Sequence, residues 1–288
     1  MTLKKSDLKA PWDKVLRTPL INIKGNLFAK LETVNPTGSI KDRLIQHVVF
    51  AALERGDLTK STVMIEATSG NTGISLSAIG AALGLKVKII MPENMSAERK
   101  QMMRAFGAEI IYVGRSDFLG AIELRNQMAS KPGYWSPMQF ENIENIECHA
   151  KNTAMEIIDQ LPYSRFDAFV SGAGTGGTIM GVRMATLYAG LETKMVLVKP
   201  AEPACEHGIQ GINDGADFLA RPDLLDYQYE IPTAMAMARA ETFAKERGVL
   251  VGISAGANLL AAENYIKKCN PAGAVVTILC DRGERYLS

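Results

Sequence analysis

Short apolar runs rich in β-branched residues alternate along the chain with longer segments in which apolar residues recur at helical spacing. None of the runs has the strict in/out alternation of a half-exposed strand, so each is predicted to form a strand buried on both faces. The candidate strands are 63–67, 86–91, 109–113, 168–171, 194–199 and 274–280. The candidate helices are 40–55, 73–83, 97–106, 117–130, 146–161, 177–187, 233–247 and 255–269. This alternation predicts an α/β fold in which mostly parallel, twisted sheets are covered by helices.

The predicted elements group into two βαβ blocks, at 63–114 and 166–279, which suggests two lobes with a cleft between them. The stretch 130–145 contains Pro132 and Gly133 and shows little periodicity, so it is the best candidate for a boundary or hinge. A chain of 288 residues also exceeds the roughly 100 to 200 residues of a typical single domain. A protein of two domains is therefore expected.

The composition is that of an ordinary globular protein, with 47% hydrophobic and 22% charged residues. Because 32 Lys and Arg face 31 Asp and Glu, the net charge of +1 gives no reason to expect nucleic acid or an anionic membrane as a partner. Residues 1–14 lack the apolar core of a signal peptide, and no run of about 18 apolar residues occurs, so a cytoplasmic protein is expected.

The cysteines and histidines are scattered. The four cysteines are Cys148, Cys205, Cys269 and Cys280, and the three histidines are His47, His149 and His207. No C-x-x-C pair is present, so free thiols are expected rather than a zinc ribbon or a thioredoxin-type site. Isolated histidines argue against a metal site and against a Ser-His-Asp hydrolase. No metal is therefore expected.

The sharpest chemical signal is the glycine-rich segment S-G-A-G-T-G-G-T at 171–178, which follows a predicted strand and opens a predicted helix. Ligands of parallel sheets collect beyond the carboxyl ends of strands, and N–H groups at a helix start favour anions, so a phosphate is the expected ligand. The segment lacks the lysine of a P-loop, and Ile179 interrupts the dinucleotide pattern G-x-G-x-x-G. Nucleotide binding and a plain packing turn remain the alternatives.

Two further loops carry donor groups. T-S-G-N-T-G at 68–73 leads into a helix, and its hydroxyls and glycines suit a carboxylate, with simple N-capping as the alternative. In N-P-T-G-S-I-K-D-R at 35–43, Lys41 lies in the first turn of an apolar helix. A partly desolvated lysine there has its charged form disfavoured, which favours the neutral amine that a Schiff base requires. Taken alone, Lys41 would more often be a surface residue.

Together these segments resemble the cysteine synthase family, the O-acetylserine sulfhydrylases, pyridoxal-phosphate enzymes with the tryptophan synthase β-subunit fold (fold type II). The motifs are N-P-T-G-S-I-K-D-R (35–43), T-S-G-N-T-G (68–73), M-P-E-N-M-S-A-E-R (91–99), G-T-G-G-T (174–178), G-I-S-A-G (252–256) and C-D-R-G-E-R-Y-L-S (280–288). The resemblance covers nearly the whole chain. It implies a smaller, mobile domain of residues 35–145 on the substrate side and a larger phosphate-binding domain of residues 1–34 and 146–288.

The resemblance also implies a role for each site residue. Lys41 would hold the cofactor as a Schiff base, and Asn71 would meet its ring hydroxyl. The phosphate would be bound by Gly174, Thr175, Gly176, Gly177 and Thr178. The substrate carboxylate would be bound by Thr68, Ser69, Thr72 and Gln139. Ser254 would face the pyridine nitrogen, and because a serine hydroxyl is too weak an acid to protonate that nitrogen, Ser254 favours β-elimination over transamination. Asp281 follows a strand and could be a rival partner, but the resemblance places it outside this role.

The implied reaction is a β-replacement. O-acetyl-L-serine, or a similar O-activated serine, would lose acetate through an aminoacrylate intermediate, and sulfide would add to give L-cysteine. Lys41 would take the Cα proton and return it, which predicts ping-pong kinetics. The resemblance further implies a homodimer and a possible serine acetyltransferase partner.

Some motifs distinguish the isozymes of this family. Residues 91–99 and 280–288 are closest to the B-type isozyme, whereas I-Q-G-I-N at 209–213 is closer to the A-type. Cys280 keeps the B-type identity, although a buried thiol at a strand end is equally consistent with packing.

Two segments depart from the family pattern on the substrate side. Q-F-E-N-I-E-N at 139–145 replaces the usual Q-F-x-N-P, and N-T-A-M-E at 152–156 replaces T-T-G-P-E. Cystathionine β-synthase, cysteine desulfhydrase and serine dehydratase activities therefore stay open on the same fold. A non-catalytic relative that uses the fold to bind a partner is the alternative of another class.

Overall fold

The computed structural model describes residues 1–203, 208–209 and 217–287. Its strands are β1 Leu20–Lys24, β2 Leu27–Leu31, β3 Val63–Ala67, β4 Lys86–Pro92, β5 Glu109–Val113, β6 Tyr134–Trp135, β7 Phe166–Gly172, β8 Lys194–Pro200, β9 Tyr227–Ile231 and β10 Ala274–Leu279. Its helices are α1 Lys41–Arg55, α2 Asn71–Leu83, α3 Ala97–Ala105, α4 Phe118–Ala129, α5 Glu144–Cys148, α6 Met155–Gln160, α7 Gly177–Tyr188, α8 Thr233–Arg247 and α9 Ile253–Cys269. Among the described residues, no helix is both long and apolar enough to cross a membrane.

The chain packs into two compact units. The first unit consists of Met1–Leu16 and Lys41–Asn142, and the second of Arg17–Ile40 and the described part of Ile143–Ser288. The amino-terminal segment joins the first unit because Leu3 and Trp12 are buried in the same core as residues of α1 and α2. The division into a smaller, mobile domain of residues 35–145 and a larger domain of residues 1–34 and 146–288 stays a prediction.

The first unit is built on a four-stranded parallel sheet in the order β5-β4-β3-β6. Val63–Ala67 and Glu109–Val113 form strands with the predicted bounds. The prediction of burial on both faces is wrong for β5, where Glu109 and Tyr112 are exposed. The physical reason is the position of β5 at the edge of its sheet, where the covering layers end and residues on both faces of the strand remain partly in water.

The second unit is built on a six-stranded sheet in the order β1-β2-β10-β7-β8-β9. All neighbours run parallel except the hairpin of β1 and β2. Along β10, Val275 belongs to the core cluster covered by α8 and α9, whereas Val276 belongs to the cluster covered by α6 and α7. Both faces of this strand are therefore buried, which is why its sequence shows no polar alternation. The predicted α/β class with mostly parallel sheets is confirmed.

The pattern of apolar residues missed some elements. The strands β1, β2, β6 and β9 were not predicted. In β2, Lys30 has the appearance of a surface residue in sequence but is fully buried, with Nζ at 2.8 Å from Glu156 Oε2 and 2.6 Å from the Thr18 carbonyl oxygen. The single helix predicted at 146–161 is interrupted by a π-helical stretch, His149–Ala154. Periodicity over so few residues cannot reveal the wider turn.

Candidate active site

The donor-rich loop of the first unit follows β3 and leads into α2. Thr68 is buried, and its Oγ1 accepts a hydrogen bond of 3.0 Å from the backbone N–H of Gly70. Asn71 is the first residue of α2. Within the described part of the chain, the Ser69 side chain makes no hydrogen bond that would occupy its hydroxyl. The loop thus presents hydroxyl and amide groups at a helix start, as a carboxylate site requires.

Thr72 and Gln139 are brought together, as predicted for two groups of one carboxylate site. The Thr72 hydroxyl donates to Gln139 Oε1 at 2.6 Å, and both residues are buried. Gln139 Nε2 donates to the carbonyl oxygen of Ala67 at 2.9 Å, directly before the loop. Because 67 positions separate Thr72 from Gln139, this pairing comes from the tertiary fold and not from local sequence.

Lys41 begins α1 and is partly exposed. The preceding residue belongs to the second unit, where the Ile40 N–H donates to the carbonyl oxygen of Cys280 at 2.9 Å. The following residue, Asp42, is fully buried and accepts a 2.5 Å hydrogen bond from the Ser75 hydroxyl of α2. The backbone on either side of Lys41 is therefore fixed, which restricts where its amine can reach.

The glycine-rich loop of the second unit follows β7, an interior strand, and α7 begins at Gly177. Gly176 has φ +88°, and a Cβ there would lie 2.2 Å from the backbone N of Ala220. The Thr175 hydroxyl oxygen accepts from Asn145 Nδ2 at 3.0 Å and from the Gly177 N–H at 3.3 Å. Among the described residues it has no acceptor for its own hydrogen, so that hydrogen can serve an anion. The loop fits a phosphate.

Two residues that back this loop escaped sequence analysis. Asn145 holds Thr175 as described, and His149 Nε2 lies 3.3 Å from Thr178 Oγ1. His149 Nδ1 lies 3.0 Å from Thr153 Oγ1 inside the π-helical stretch, and the ring is buried. Both residues lie on the same helical face, four positions apart, which is the one signal that the sequence offered. As an isolated histidine, His149 was not expected to bind a metal. In the structure its two ring nitrogens contact the hydroxyls of Thr153 and Thr178.

Because this loop is predicted to bind the phosphate of the cofactor that the motifs imply, replacing Gly176 by alanine is expected to weaken cofactor binding by about tenfold or more, since a strained φ and a backbone clash cost roughly 1 to 3 kcal/mol. Titration of the apoprotein with the cofactor, followed by absorbance, measures the dissociation constant. Gly190→Ala is the control, because Gly190 also has a positive φ, +68°, but a Cβ there meets nothing within 4 Å. Equal affinity of Gly176→Ala and wild type would show that the loop does not bind the phosphate.

Ser254 is the second residue of α9 and is buried. No described residue occupies its hydroxyl, which suits the predicted role toward a ring nitrogen. Its rival Asp281 is buried in the same unit, and its Oδ2 accepts a 2.7 Å hydrogen bond from the Tyr286 hydroxyl. This bond gives the Asp281 carboxylate a structural task. The choice between the two residues stays a prediction.

The remaining candidates are the cysteines, the possible metal ligands and the residues that resemble the A-type isozyme. Among the described residues, Cys148, Cys269 and Cys280 form no disulfide, and Asn258 Nδ2 donates to Cys280 Sγ at 3.6 Å. Across the residues that the structure describes, no cluster of His, Cys, Asp and Glu could hold a metal ion. Cys205, His207 and the A-type-like residues 210–213 lie outside the described residues.

The predicted site residues are divided between the units. Those in the first unit are Lys41, Thr68, Ser69, Asn71, Thr72 and Gln139. Those in the second are Gly174, Thr175, Gly176, Gly177, Thr178 and Ser254. Each unit therefore carries a loop at the carboxyl end of a parallel strand with donors for an anion, the arrangement of an α/β enzyme.

Comparison with known proteins extends this class to a family. Residues 12–281 match the family model described as pyridoxal-phosphate dependent enzyme. Cysteine synthase B of Campylobacter jejuni is 40% identical over 94% of each chain, and cysteine synthase of Staphylococcus aureus is 35% identical over 94% of this chain and 93% of that protein. The structure of O-acetylserine dependent cystathionine beta-synthase from Helicobacter pylori has a TM-score of 0.88 and 32% identity, and the match covers 96% of both chains.

The chain belongs to the family of pyridoxal-phosphate dependent enzymes, within its cysteine synthase branch. Its cofactor is accordingly pyridoxal phosphate, and its fold is the type II fold of that family. The resemblance that the six motifs indicated is confirmed.

Proposed function

We propose that this protein is an O-acetylserine sulfhydrylase, which replaces the acetate of O-acetyl-L-serine, or of a similar O-activated serine, with sulfide to form L-cysteine. The observation that carries the proposal is an intact set of donor loops and Lys41 in a chain 40% identical to a cysteine synthase B over 94% of both proteins. A non-catalytic relative would have no need to retain hydroxyls that are free to donate, such as that of Thr175.

In this proposal the second unit binds the cofactor phosphate. The donors are the backbone N–H groups at the start of α7 and the hydroxyls of Thr175 and Thr178. Asn145 Nδ2 donates to Thr175 Oγ1, and His149 Nε2 contacts Thr178 Oγ1, so these two residues orient the hydroxyls. When bound, pyridoxal phosphate withdraws electrons from the substrate Cα and so makes its proton acidic. Ser254 keeps the pyridine nitrogen hydrogen-bonded but unprotonated, which limits this withdrawal and favours loss of the β-substituent.

The first unit binds the amino acid and moves its proton. Thr68, Ser69, Thr72 and Gln139 bind the carboxylate, and for this the Thr72 hydroxyl turns its hydrogen from Gln139 Oε1 to the substrate. The neutral Lys41 Nζ takes the Cα proton as acetate leaves Cβ, and returns it after sulfide has added to Cβ. The carboxylate is held by uncharged donors, and their fixed geometry directs the Cα–H bond toward the amine.

The test is a product analysis with competing nucleophiles. Purified holoprotein is supplied with O-acetylserine and with sulfide, thiosulfate, homocysteine or water alone, and the products are quantified by mass spectrometry. We expect cysteine, with a kcat/KM for sulfide that exceeds each competitor by about tenfold or more. Formation of pyruvate alone, or no release of acetate, contradicts the proposal. O-phosphoserine in place of O-acetylserine tests the acyl donor.

Cystathionine synthesis is the second candidate. It is favoured by the likeness to the Helicobacter pylori enzyme, whose name gives O-acetylserine as the substrate on the same fold. The two reactions share the first half, and they differ in the nucleophile that enters. A dominant cystathionine product in the homocysteine arm would move the assignment to this activity.

The assembly and location of the protein are further proposals that rest on the family. We expect a homodimer in the cytoplasm, with serine acetyltransferase as a possible partner. Light scattering during size exclusion tests the dimer, which has twice the chain mass of 31.3 kDa. A mass equal to one chain contradicts it.

A further inference from the structure

A buried carboxylate of the protein, that of Glu66, lies next to the loop 68–73 that is proposed to bind the substrate carboxylate. Glu66, in β3, is fully buried. Its Oε1 accepts from the N–H of Ala67 at 2.8 Å, and its Oε2 accepts from the N–H of Gln139 at 3.0 Å. Burial raises the pKa of Glu66 above its ordinary 4.5, while the Arg125 guanidinium opposes part of that rise. Glu66 thus connects the strand before the loop to the backbone of a proposed substrate residue.

Arg125 joins Glu66 to the segment that carries Gln139. This side chain of α4 is fully buried, and its NH1 donates to Glu66 Oε1 at 3.0 Å. Its NH2 donates to both carboxylate oxygens of Glu141, at 2.9 and 3.0 Å. Among the described residues its Nε has no hydrogen-bond partner. A buried ion pair with an unsatisfied N–H donor is weak evidence for stabilisation of the fold. This points instead to a role of Arg125 in fixing the positions of the groups that it joins.

The segment around Gln139 lacks one stiffening residue of the family pattern, although Asn142 Nδ2 donates to the Pro137 carbonyl oxygen at 3.1 Å within it. The usual Q-F-x-N-P pattern would place a proline at position 143, where this chain has Ile143. Met138 has φ +52°, and its carbonyl oxygen accepts from the N–H groups of Glu141 and Asn142 at 3.0 and 2.9 Å. The turn is therefore tight and strained at Met138, and the bond from the Gln139 N–H to Glu66 ties it to β3 from outside.

We propose that Glu66, Arg125 and Glu141, here called the Arg125 clamp, position Gln139 and through it Thr72 for recognition of the substrate carboxylate. This inference rests on the proposed function, because it gives that site its selectivity for an amino acid with a free carboxylate. Glu66 fixes the Gln139 backbone, and Arg125 fixes Glu66 from one side and Glu141 from the other. The Gln139 amide then reaches both Ala67 O and the Thr72 hydroxyl. These three are positioning residues, since none is proposed to contact the substrate.

Glu141→Ala tests the clamp without leaving a lone buried charge, because the buried Arg125 keeps its ion pair with Glu66 and the Glu141 side chain itself is 47% exposed. In the holoenzyme, kcat/KM for O-acetylserine is expected to fall about tenfold, as for the loss of one well-placed hydrogen bond, while kcat/KM for sulfide stays within about twofold. The control is Glu123→Ala, which removes the same charge from the exposed face of the helix that carries Arg125. Wild-type values are expected for the control.

An equilibrium measurement separates positioning from general damage. Cofactor absorbance is titrated with L-alanine and with L-alaninamide, which have no β-leaving group and differ only in the carboxylate. The wild type is expected to prefer L-alanine, and Glu141→Ala is expected to lose most of that preference. The inference is overturned if Glu141→Ala keeps the wild-type preference, or if it loses affinity for both compounds equally.

The two failures are distinguishable. If the wild type forms no cysteine, the proposed function fails, but the titration with L-alanine and L-alaninamide still decides whether the clamp sets carboxylate selectivity. If cysteine forms normally and the Glu141→Ala and Glu123→Ala variants behave alike in both measurements, the function stands and the clamp does not.

Discussion

Replacing Lys41 by alanine is expected to lower kcat/KM for cysteine formation by about a thousandfold or more, because the variant loses the amine that we propose both binds the cofactor and moves the Cα proton. The fold should persist, since Lys41 is partly exposed and the buried Asp42 still pins the start of α1. Cofactor absorbance and initial rates measured on the same preparation give both losses.

The matched control is Lys60→Ala, which removes an exposed lysine of the same unit. It should match wild type in colour and rate. A Lys41→Ala variant that forms cysteine at the wild-type rate would show that another residue performs the chemistry. A colourless Lys60→Ala variant would show that the assay reports stability and not catalysis.

Arg125→Met is expected to destabilise the folded protein by about 3 to 5 kcal/mol at neutral pH, since it leaves the Glu66 carboxylate buried without its cation. The pH dependence follows from the raised pKa of Glu66. A carboxyl whose folded pKa exceeds its unfolded pKa supports folding fully below the unfolded value, and this support is lost as pH rises through the folded value. Without Arg125 the folded pKa rises further, so the loss of stability should be larger at about pH 7.5 than at about pH 5.

Urea unfolding of wild type and variant at the two pH values measures this difference. The double variant Glu66→Gln with Arg125→Met removes both charges and is expected to recover part of the lost stability, because no unpaired ion remains in the core. A deficit for Arg125→Met that is the same at both pH values would mean that Glu66 is not the source of the penalty.

The two loops proposed to bind anions could be predicted as donor-rich turns because their chemistry is local. The spacing of Gly174, Thr175 and Gly176 after an apolar run fixes a turn at a helix start, whatever the rest of the chain does. Strands with both faces buried, such as β7 and β10, could also be predicted from local sequence. A sheet covered by helices needs apolar residues on both sides of its strands, and these appear as continuous apolar runs. Lys41, the first residue of α1, could be recognised as a candidate only because these donor-rich loops occur in the same chain.

The Arg125 clamp could not be predicted, because its members are far apart in sequence. Arg125 lies 59 positions from Glu66, and although Glu66 falls in a strand predicted to be buried, nothing in the sequence pairs it with Arg125, which as a charged helix residue would be assigned to the surface. The contact between His149 and Thr178 depends on the π-helical stretch, which leaves no periodic signature. Such features arise when tertiary packing overrides local preference, and they lie beside the proposed site.

We propose that one amine, Lys41 Nζ, carries the pyridoxal phosphate of this enzyme. Borohydride reduction of the holoprotein, followed by digestion and mass spectrometry of the peptides, locates the cofactor directly. We predict a phosphopyridoxyl group on Lys41. The same group on a different lysine, or on none, would contradict the proposed active site.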